Sequence, residues 1–553
     1  MTTDTTSTSK DIVLIVGGGP SGCTQALLLA KLGIQTVIVE HLTERSLAPK
    51  AHAMNPRSLE ICRSLGLDFD KIKAAALPPE DGGSVYFLPR LDAPVLGKVP
   101  YERQDDGAFD ITPTPLVNIP QPDFESILLE EVENCPLTEL RRGHTWESAE
   151  EHLEGGITST IKTADGSYAL ESTYVIAADG AGSPVRDSLG IGMNGEANVM
   201  ACMSITFAAN LREVLKDRLG VIYWLTDPAC NCTLLCYRTE ELWSLIFLMP
   251  YSELDVSVYT EAHCLELVRN AIGYEVDDIV FKFAVPWTMN SEIAKSYRKS
   301  RFFLIGDAAH RFPPSGGLGL NTGILEANNL AWKIAGVMKG WASDKLLSSY
   351  ESECKPIATQ NAKQSLENAK RLGALSEMSC PADIWQSESA FKQWLAKDGR
   401  QKRIDNAVKI QVQHFNSIGL QLGFSYDQGY TGSVETFVPR AEPGFRMPHA
   451  WLIKDGKKIS TLDLLDPTAF TIVSGTKVEG LEALCAALNV PYSAVVLNDT
   501  YEGGQAWLKS LELTDTSVLV VRPDGHIMAR VPDSSEQSQS LANLNAAFVA
   551  LLG

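Results

Sequence analysis

Short apolar runs followed by stretches of helix length mark both ends of the chain, whereas its middle alternates apolar and polar positions. Residues 11–16 (DIVLIV) read as a buried strand, residues 23–32 as a helix, and residues 36–39 as a second strand that ends at Glu40. Residues 302–305 repeat the buried-strand pattern, and an amphipathic helix is expected from near Asn321. Apolar strands that alternate with helices predict an α/β protein built on a parallel sheet. Between 193 and 289 the period changes to two, in 221–225, 232–237 and 243–249, which predicts an antiparallel sheet. From 346 to about 418 the pattern is helical, with charges spread along it and no chemistry that stands out. After the glycine-rich turn at 429–432, HAWL, TAFTIVSG, YSAVVLN and SVLVVRPDGHIMARV read as strands between helices, a separate unit.

Two strings at the ends of these strands carry chemistry. Residues 17–22 (GGGPSG) fit GxGxxG on Gly17, Gly19 and Gly22, with Pro20 and Ser21 opening the helix. A strand before and a helix after make a weak motif a strong one. Glu40 stands where a carboxylate accepts from ribose hydroxyls, and its charge would repel a 2′-phosphate, so the tightly held nucleotide is FAD or NAD rather than NADP. The second string, 301–333 (RFFLIGDAAHRFPPSGGLGLNTGILEANNLAWK), decides for FAD. Gly306 and Asp307 end a strand where the carboxylate meets a polyol hydroxyl. Gly316, Gly317 and Gly319 let the backbone approach a ring, and helix amides near Asn321 suit the anionic end of a reduced isoalloxazine. Since Gly17 and Asp307 must meet, the FAD-binding unit is expected to be discontinuous, over 10–192 and 290–365. The substrate-binding sheet is expected over 193–289, a helical connection over 366–430 and a last domain over 437–553.

With these strings the chain resembles the class A flavoprotein aromatic hydroxylases, in the branch of phenol, hydroxyphenylpropionate and aromatic-polyketide hydroxylases, over nearly its whole length. Three further strings match: 49–60 (PKAHAMNPRSLE), 118–125 (NIPQPDFE) and 174–191 (YVIAADGAGSPVRDSLGI). The resemblance implies a Rossmann-like FAD-binding domain of the para-hydroxybenzoate hydroxylase type, an inserted antiparallel-sheet substrate domain and a thioredoxin-like C-terminal domain. It implies that Lys50 and Ala51 line the flavin, Lys50 standing where the family more often has Arg or Gln. Gln121 then reaches the cofactor and Asp179 lies near the pyrophosphate. Pro314, Leu318, Leu320 and Asn321 complete the second string. The implied chemistry is oxygen insertion into a phenolic or polyketide-type aromatic through a flavin hydroperoxide, on non-covalent FAD reduced by NADPH or NADH. No second Rossmann fingerprint occurs, in keeping with relatives that dock the nicotinamide only transiently.

An electrophilic oxygen attacks only an electron-rich carbon, so the enzyme needs an acceptor for the substrate's hydroxyl proton, with a pKa near working pH. His52 occupies the position where phenol hydroxylases carry an acidic residue facing that hydroxyl; the alternative is that it packs on the flavin. Arg238, in a turn of the middle sheet, matches a pocket arginine of phenol hydroxylases or is a solvated turn residue. Tyr223 and Trp224 read as pocket or core aromatics, and His310 as support for its turn. Baeyer–Villiger insertion or oxidative decarboxylation is a second reading. A halogenase or a non-catalytic flavoprotein is a third, though no tryptophans are spaced WxW.

Composition narrows the partners. A net charge of −20 argues against nucleic acid and anionic membranes, and favours a small neutral or weakly acidic substrate, with O2. The first ten residues lack the apolar core of a signal peptide and no apolar run approaches the ~20 residues of a membrane span, so a soluble cytoplasmic protein is expected. A homodimer is an assembly the reading allows. Cys230, Cys232 and Cys236 lie at strand spacing and read as structural, with no metal site. Cys485 has no second thiol beside it in the C-terminal domain, which leaves that domain without disulfide chemistry.

Overall fold

The computed structural model describes residues 12–102, 106–498, 500–531 and 537–552; the amino-terminal stretch read for a signal peptide, and residues 10 and 11 of the FAD-binding stretch, lie outside the described residues. A six-stranded sheet runs in the order Arg298–Lys299, Phe302–Leu304, Tyr174–Ala177, Ile12–Val16, Gln35–Glu40, Thr138–Arg142. All its pairs are parallel except the edge hairpin at 298–303. Val13, Leu14 and Ile15 are fully buried, as a central strand covered on both faces requires. Val16 pairs with both Val39 and Ala177, and Ala177 with Leu304, so these strands end at one level. Gly17, Glu40, Ala178 and Gly306 therefore lie near one carboxyl edge, the edge where open α/β sheets bind ligands. The helix that ends the second string spans Leu318–Met338 and starts three residues before Asn321, because Gly317, at φ 63°, turns the chain directly into it.

An eight-stranded sheet follows the order His310–Arg311, Val280–Ala294, Met193–Ala208, Leu242–Met249, Cys232–Arg238, Ile222–Leu225, Ser84–Leu88, Gly97–Pro100. It is larger than the pattern of 193–289 suggests. Strands from 84–100 and 310–311 join it, and Ile222–Leu225 pairs in parallel with Ser84–Leu88. Its core is aromatic, with Phe87, Phe207 and Trp243 fully buried.

Helices from Asp344–Arg371 to Ile418–Leu422 lead to a four-stranded sheet in the order Tyr492–Val496, Phe470–Ser474, Val518–Val521, Ile527–Val531. Its first pair is parallel and the other two antiparallel, with Leu481–Ala487 crossing between the parallel strands. Buried ion pairs fasten it to the rest. Arg522, in the turn before the last strand, donates to both carboxylate oxygens of Glu353 at 2.9 Å, and Lys333 reaches Glu353 at 2.8 Å. Arg446 pairs with Glu60 through Nε at 2.7 Å. Among the described residues no helix is long and apolar enough to cross a membrane.

Candidate active site

Gly17 leaves the central strand at φ 108°, and a Cβ there would lie 2.2 Å from the Ala178 carbonyl oxygen, so the turn admits only glycine. The turn is closed by Glu40. Its carboxylate accepts from Gly18 N at 2.8 Å and Leu42 N at 2.9 Å. Helix Pro20–Lys31 starts at Gly19 with no side-chain cap, and the Cβ direction of Gly19 meets nothing within 4 Å. Beside this turn opens a cleft of about 530 Å³, lined by Gly17, Gly19, Glu40, Lys50, Gln121 and Asp179, and by Arg45 and Arg142. Asp179 accepts from Val185 N at 3.1 Å through Oδ2, while its buried Oδ1 has no partner among the described residues. Burial pushes its pKa up. An orphaned acceptor, an uncapped helix start at Gly19 and three cations fit a group that carries hydroxyls and phosphates. Pro20 and Ser21 do not line the cleft. Ser21 instead backs the turn, its Oγ 2.6 Å from where a Cβ on Gly306 would lie.

Residues 50–55 leave this cleft as a strap. Ala51 N donates to Gln121 Oε1 at 3.2 Å, Gln121 N to Ala51 O at 2.9 Å, and Ile119 N to His52 O at 2.8 Å. On the other side Asn321 receives Asn55 N at 3.0 Å and donates to Ala53 O at 2.8 Å. Gly317 abuts the strap so closely that a Cβ on it would lie 3.0 Å from Ala53 Cβ. Beyond the strap is a second cavity of about 50 Å³. His52, Asn55, Pro314, Gly317 and Asn321 line it, together with Tyr101, Glu102, Ile222, His414, Phe415 and Gln421. Leu318, Gly319 and Leu320 form the first turn of the helix and line neither cavity. Asp307 lines neither cavity as well; it is exposed beyond Phe302–Leu304, and its carboxylate has no protein partner among the described residues.

The chain matches the FAD binding domain family over residues 10–365 and the aromatic-ring hydroxylase C-terminal family over residues 440–553. It belongs to the FAD-dependent aromatic-ring hydroxylases. A 2,4-dichlorophenol 6-monooxygenase of Delftia acidovorans is 29% identical over 94% of each chain, and a putative polyketide hydroxylase of Streptomyces coelicolor 34% identical over 96% of this chain and 95% of that protein. The flavin-dependent monooxygenase PieE, solved with FAD and substrate, superposes with a TM-score of 0.89 at 26% identity, covering 98% of this chain and 99% of that one. Aklavinone-11 hydroxylase, in a ternary complex with FAD and aklavinone, gives 0.82 at 25% identity over 98% of each. The protein is thus an FAD-dependent monooxygenase with the α/β fold of the para-hydroxybenzoate hydroxylase type.

Within this hydroxylase His52 sits between Tyr101, stacked at 6.4 Å, and Tyr237, edge-on at 6.1 Å. Its Nδ1 bonds Asn118 Oδ1 at 3.0 Å. Burial pulls its pKa down to about 4, well below the working-pH value expected of a general base, so the ring is neutral. Arg238 requires a correction. At the end of its strand it is Tyr237 that meets His52, while Arg238 turns to the Asp123 carboxylate, lies 3.6 Å from Glu241, and does not line the second cavity. Tyr223 is a core residue, stacked on Tyr86 at 5.5 Å, whereas Trp224 packs edge-on to His414. His310 supports its turn, bonding Glu326 at 3.1 Å, and Glu326 also receives Gly306 N at 2.8 Å. Sequence reasoning missed Glu326, Arg45, Arg142, Tyr101, Glu102 and His414. Only Glu326 leaves a signal, as an acidic residue amid the apolar stretch GILEANNLA.

Proposed function

We propose that this hydroxylase oxygenates a phenolic or polyketide-type aromatic with NADPH or NADH as donor, holding the nucleotide part of FAD in the larger cleft and its reactive ring at the smaller cavity. The course of residues 50–55 carries this reading: Lys50 faces one cavity, His52 and Asn55 the other, and hydrogen bonds from Gln121 and Asn321 fix the segment between them. Bound FAD would be held by Glu40 at its ribose hydroxyls, by Arg45 and Lys50 at its phosphates, and by Asp179 and Asp307 at further hydroxyls. Gly19 leaves its backbone open beside the cleft, while Gly17, Gly22, Gly306 and Gly317 let the surrounding segments pack closely enough to shape it. Bound there, FAD supplies hydride acceptance and activation of O2.

The chain supplies the rest. His52, neutral and held through Nδ1, positions the substrate ring by packing; Tyr101 and Tyr237 wall the site against water. At about 50 Å³ the second cavity suits one or two waters of ~30 Å³ each, so an aromatic ring needs more room than it offers here. The C-terminal sheet, with a parallel pair joined by a helix and an antiparallel pair after it, supports the thioredoxin-like reading. Its Cys485 is buried, with a thiol pushed up to about 11 by desolvation, and takes no part in turnover. The test is a panel of phenols and polyphenolic polyketides scored for stimulated NADPH oxidation, with products solved by mass and NMR. Hydroxylated rings are expected; ring-opened or decarboxylated products alone would replace this reading.

A further inference from the structure

The second cavity contains one carboxyl among the described residues that line it, and no motif drew attention to it. Glu102 lies directly after Tyr101 and holds φ at 40°, a left-handed conformation uncommon for a residue with a side chain. Its N–H donates to the Phe415 carbonyl at 2.6 Å. Ser417 Oγ and Gln421 Nε2 both donate to Oε1 at 3.2 Å, and the Ser417 backbone N–H also faces the carboxylate, so among the described residues neutral donors hold it. His52, Pro314 and Gly317 line the same cavity.

We propose that Glu102 is the catalytic residue that accepts the substrate's hydroxyl proton, with His52 as the neutral residue that orients it. In this step the substrate O–H bond breaks, its electron pair stays on the substrate oxygen, and the proton is bound at the carboxylate, leaving a neutral Glu102 and a ring rich enough for oxygen transfer. No electron is gained or lost. The titratable neighbours do not compete: burial keeps His52 and His414 neutral, at about 4 and about 3, and raises the Tyr101 hydroxyl far above working pH. Burial also pushes Glu102 up to about 7, against the hydrogen bonds of Ser417 and Gln421, which matches a base to neutral pH. The proposal rests on the aromatic-hydroxylase reading of this cavity.

The test uses FAD-loaded protein and 3-nitrophenol, whose phenolate has its own absorbance. At pH 7.5 the wild type is expected to bind the probe partly as phenolate, and Glu102→Gln to bind it as neutral phenol with unchanged FAD content. Hydroxylated product per NADPH should fall roughly 10²- to 10⁴-fold in Glu102→Gln and recover as pH rises and the free phenol ionises. Ser417→Ala and Gln421→Leu each remove a hydrogen bond to the charged form, so the pH inflection of product yield, or of bound-probe ionisation, should move alkaline. Phenolate on Glu102→Gln, or wild-type yield across pH 6 to 9, would overturn the assignment. If Glu102→Gln does not fold, absence of the alkaline shift in both Ser417→Ala and Gln421→Leu overturns it. A wild type that hydroxylates no phenol defeats the function proposed above, and probe ionisation still decides the role of Glu102.

Discussion

Glu60 and Glu102 are both carboxyls that burial alone would push up, yet their pKa values move in opposite directions. Burial would raise Glu60, but Arg446 and Arg57 outweigh it and hold it below the ordinary carboxylate range. Glu353 behaves in the same way between Arg522 and Lys333. These residues clamp the C-terminal sheet to the helices behind the flavin site. Among the described residues Glu102 in the second cavity meets only neutral donors and rises to about 7, and in the cleft Asp179 rises with one oxygen unpartnered. Where the chain needs rigidity, a buried carboxylate is given a cation; where it needs chemistry, the partner is withheld.

The largest expected effect tests both regions at once. Four buried histidines are held low mainly by desolvation: His52 at about 4 and His414 at about 3 at the site, His449 at about 4 and His526 at about 3 at the clamp. Their native pKa values lie below the unfolded value near 6.5, so between about 4 and 6.5 the unfolded chain binds more protons and stability falls as pH falls. Each histidine contributes up to roughly 1.4 kcal/mol per pH unit in that window. Glu102 has the opposite sign, since its raised native pKa favours the folded state as pH drops from 7 towards 4.5. Asp179 and Glu125, also raised by burial, share the sign of Glu102, and the four histidines against these carboxyls leave a net loss of stability between pH 6.5 and 5. Urea unfolding at fixed temperature across that range measures it; a flat profile would mean that these histidines are protonated in the native protein.

The clamp alone is tested by Arg446→Met, which leaves Glu60 buried beside Arg57 as its remaining cation. Breaking such a pair costs about 3–5 kcal/mol, whereas Arg446→Met with Glu60→Leu should recover most of the loss, because no uncompensated charge remains. The onset of thermal unfolding is the measurement. Equal damage in the single and double variants would show that shape, not charge pairing, holds the clamp.

On the flavin side, Asp307→Ala removes an exposed acceptor that no described residue engages. The expected loss is one charge-assisted hydrogen bond to FAD, about 1.5–3 kcal/mol or roughly ten- to a hundredfold in affinity, with no change in the stability of the FAD-free protein. Fluorescence titration of the stripped protein with FAD reads it. Unchanged affinity would take Asp307 out of the site and leave Asp179 as the carboxylate that meets the hydroxyls.

The strands, their parallel order and the glycine turns could be read from the chain because each rests on a local rule: apolar period, positive φ, a carboxylate at a strand end. Glu40 falls where that rule puts it, and Gly17 is irreplaceable for a reason visible in its string. What escaped reading depends on distant segments. The strands at 84–100 pair with Ile222–Leu225 across more than a hundred residues, and nothing in SVYFL names that partner. Tyr101 and Glu102 reach the second cavity only because 414–421 folds over them, so neither burial nor pKa could be foreseen at Glu102. Arg522 to His526 shows the same limit. These residues form the turn before the last strand, but Glu353, Lys333 and Trp332, which make it a clamp, lie in helices far back in the chain.

Arg238 supplies the smallest effect and the clearest control for the comparison. It lies one residue from Tyr237, which touches His52, yet its guanidinium is spent on Asp123 and Glu241 at a boundary that solvent reaches. Side chains of Arg238 and Asp123 are 35% and 29% exposed, so their attraction is screened and worth about 0–1 kcal/mol. Arg238→Gln should therefore lower stability by no more than that and leave hydroxylated product per NADPH unchanged. Steady-state coupling across pH 6 to 9 is the measurement. A loss of coupling with intact FAD binding would mean that Arg238 swings into the cavity when substrate opens it, and that proximity to His52, not present pairing, marks the catalytic set.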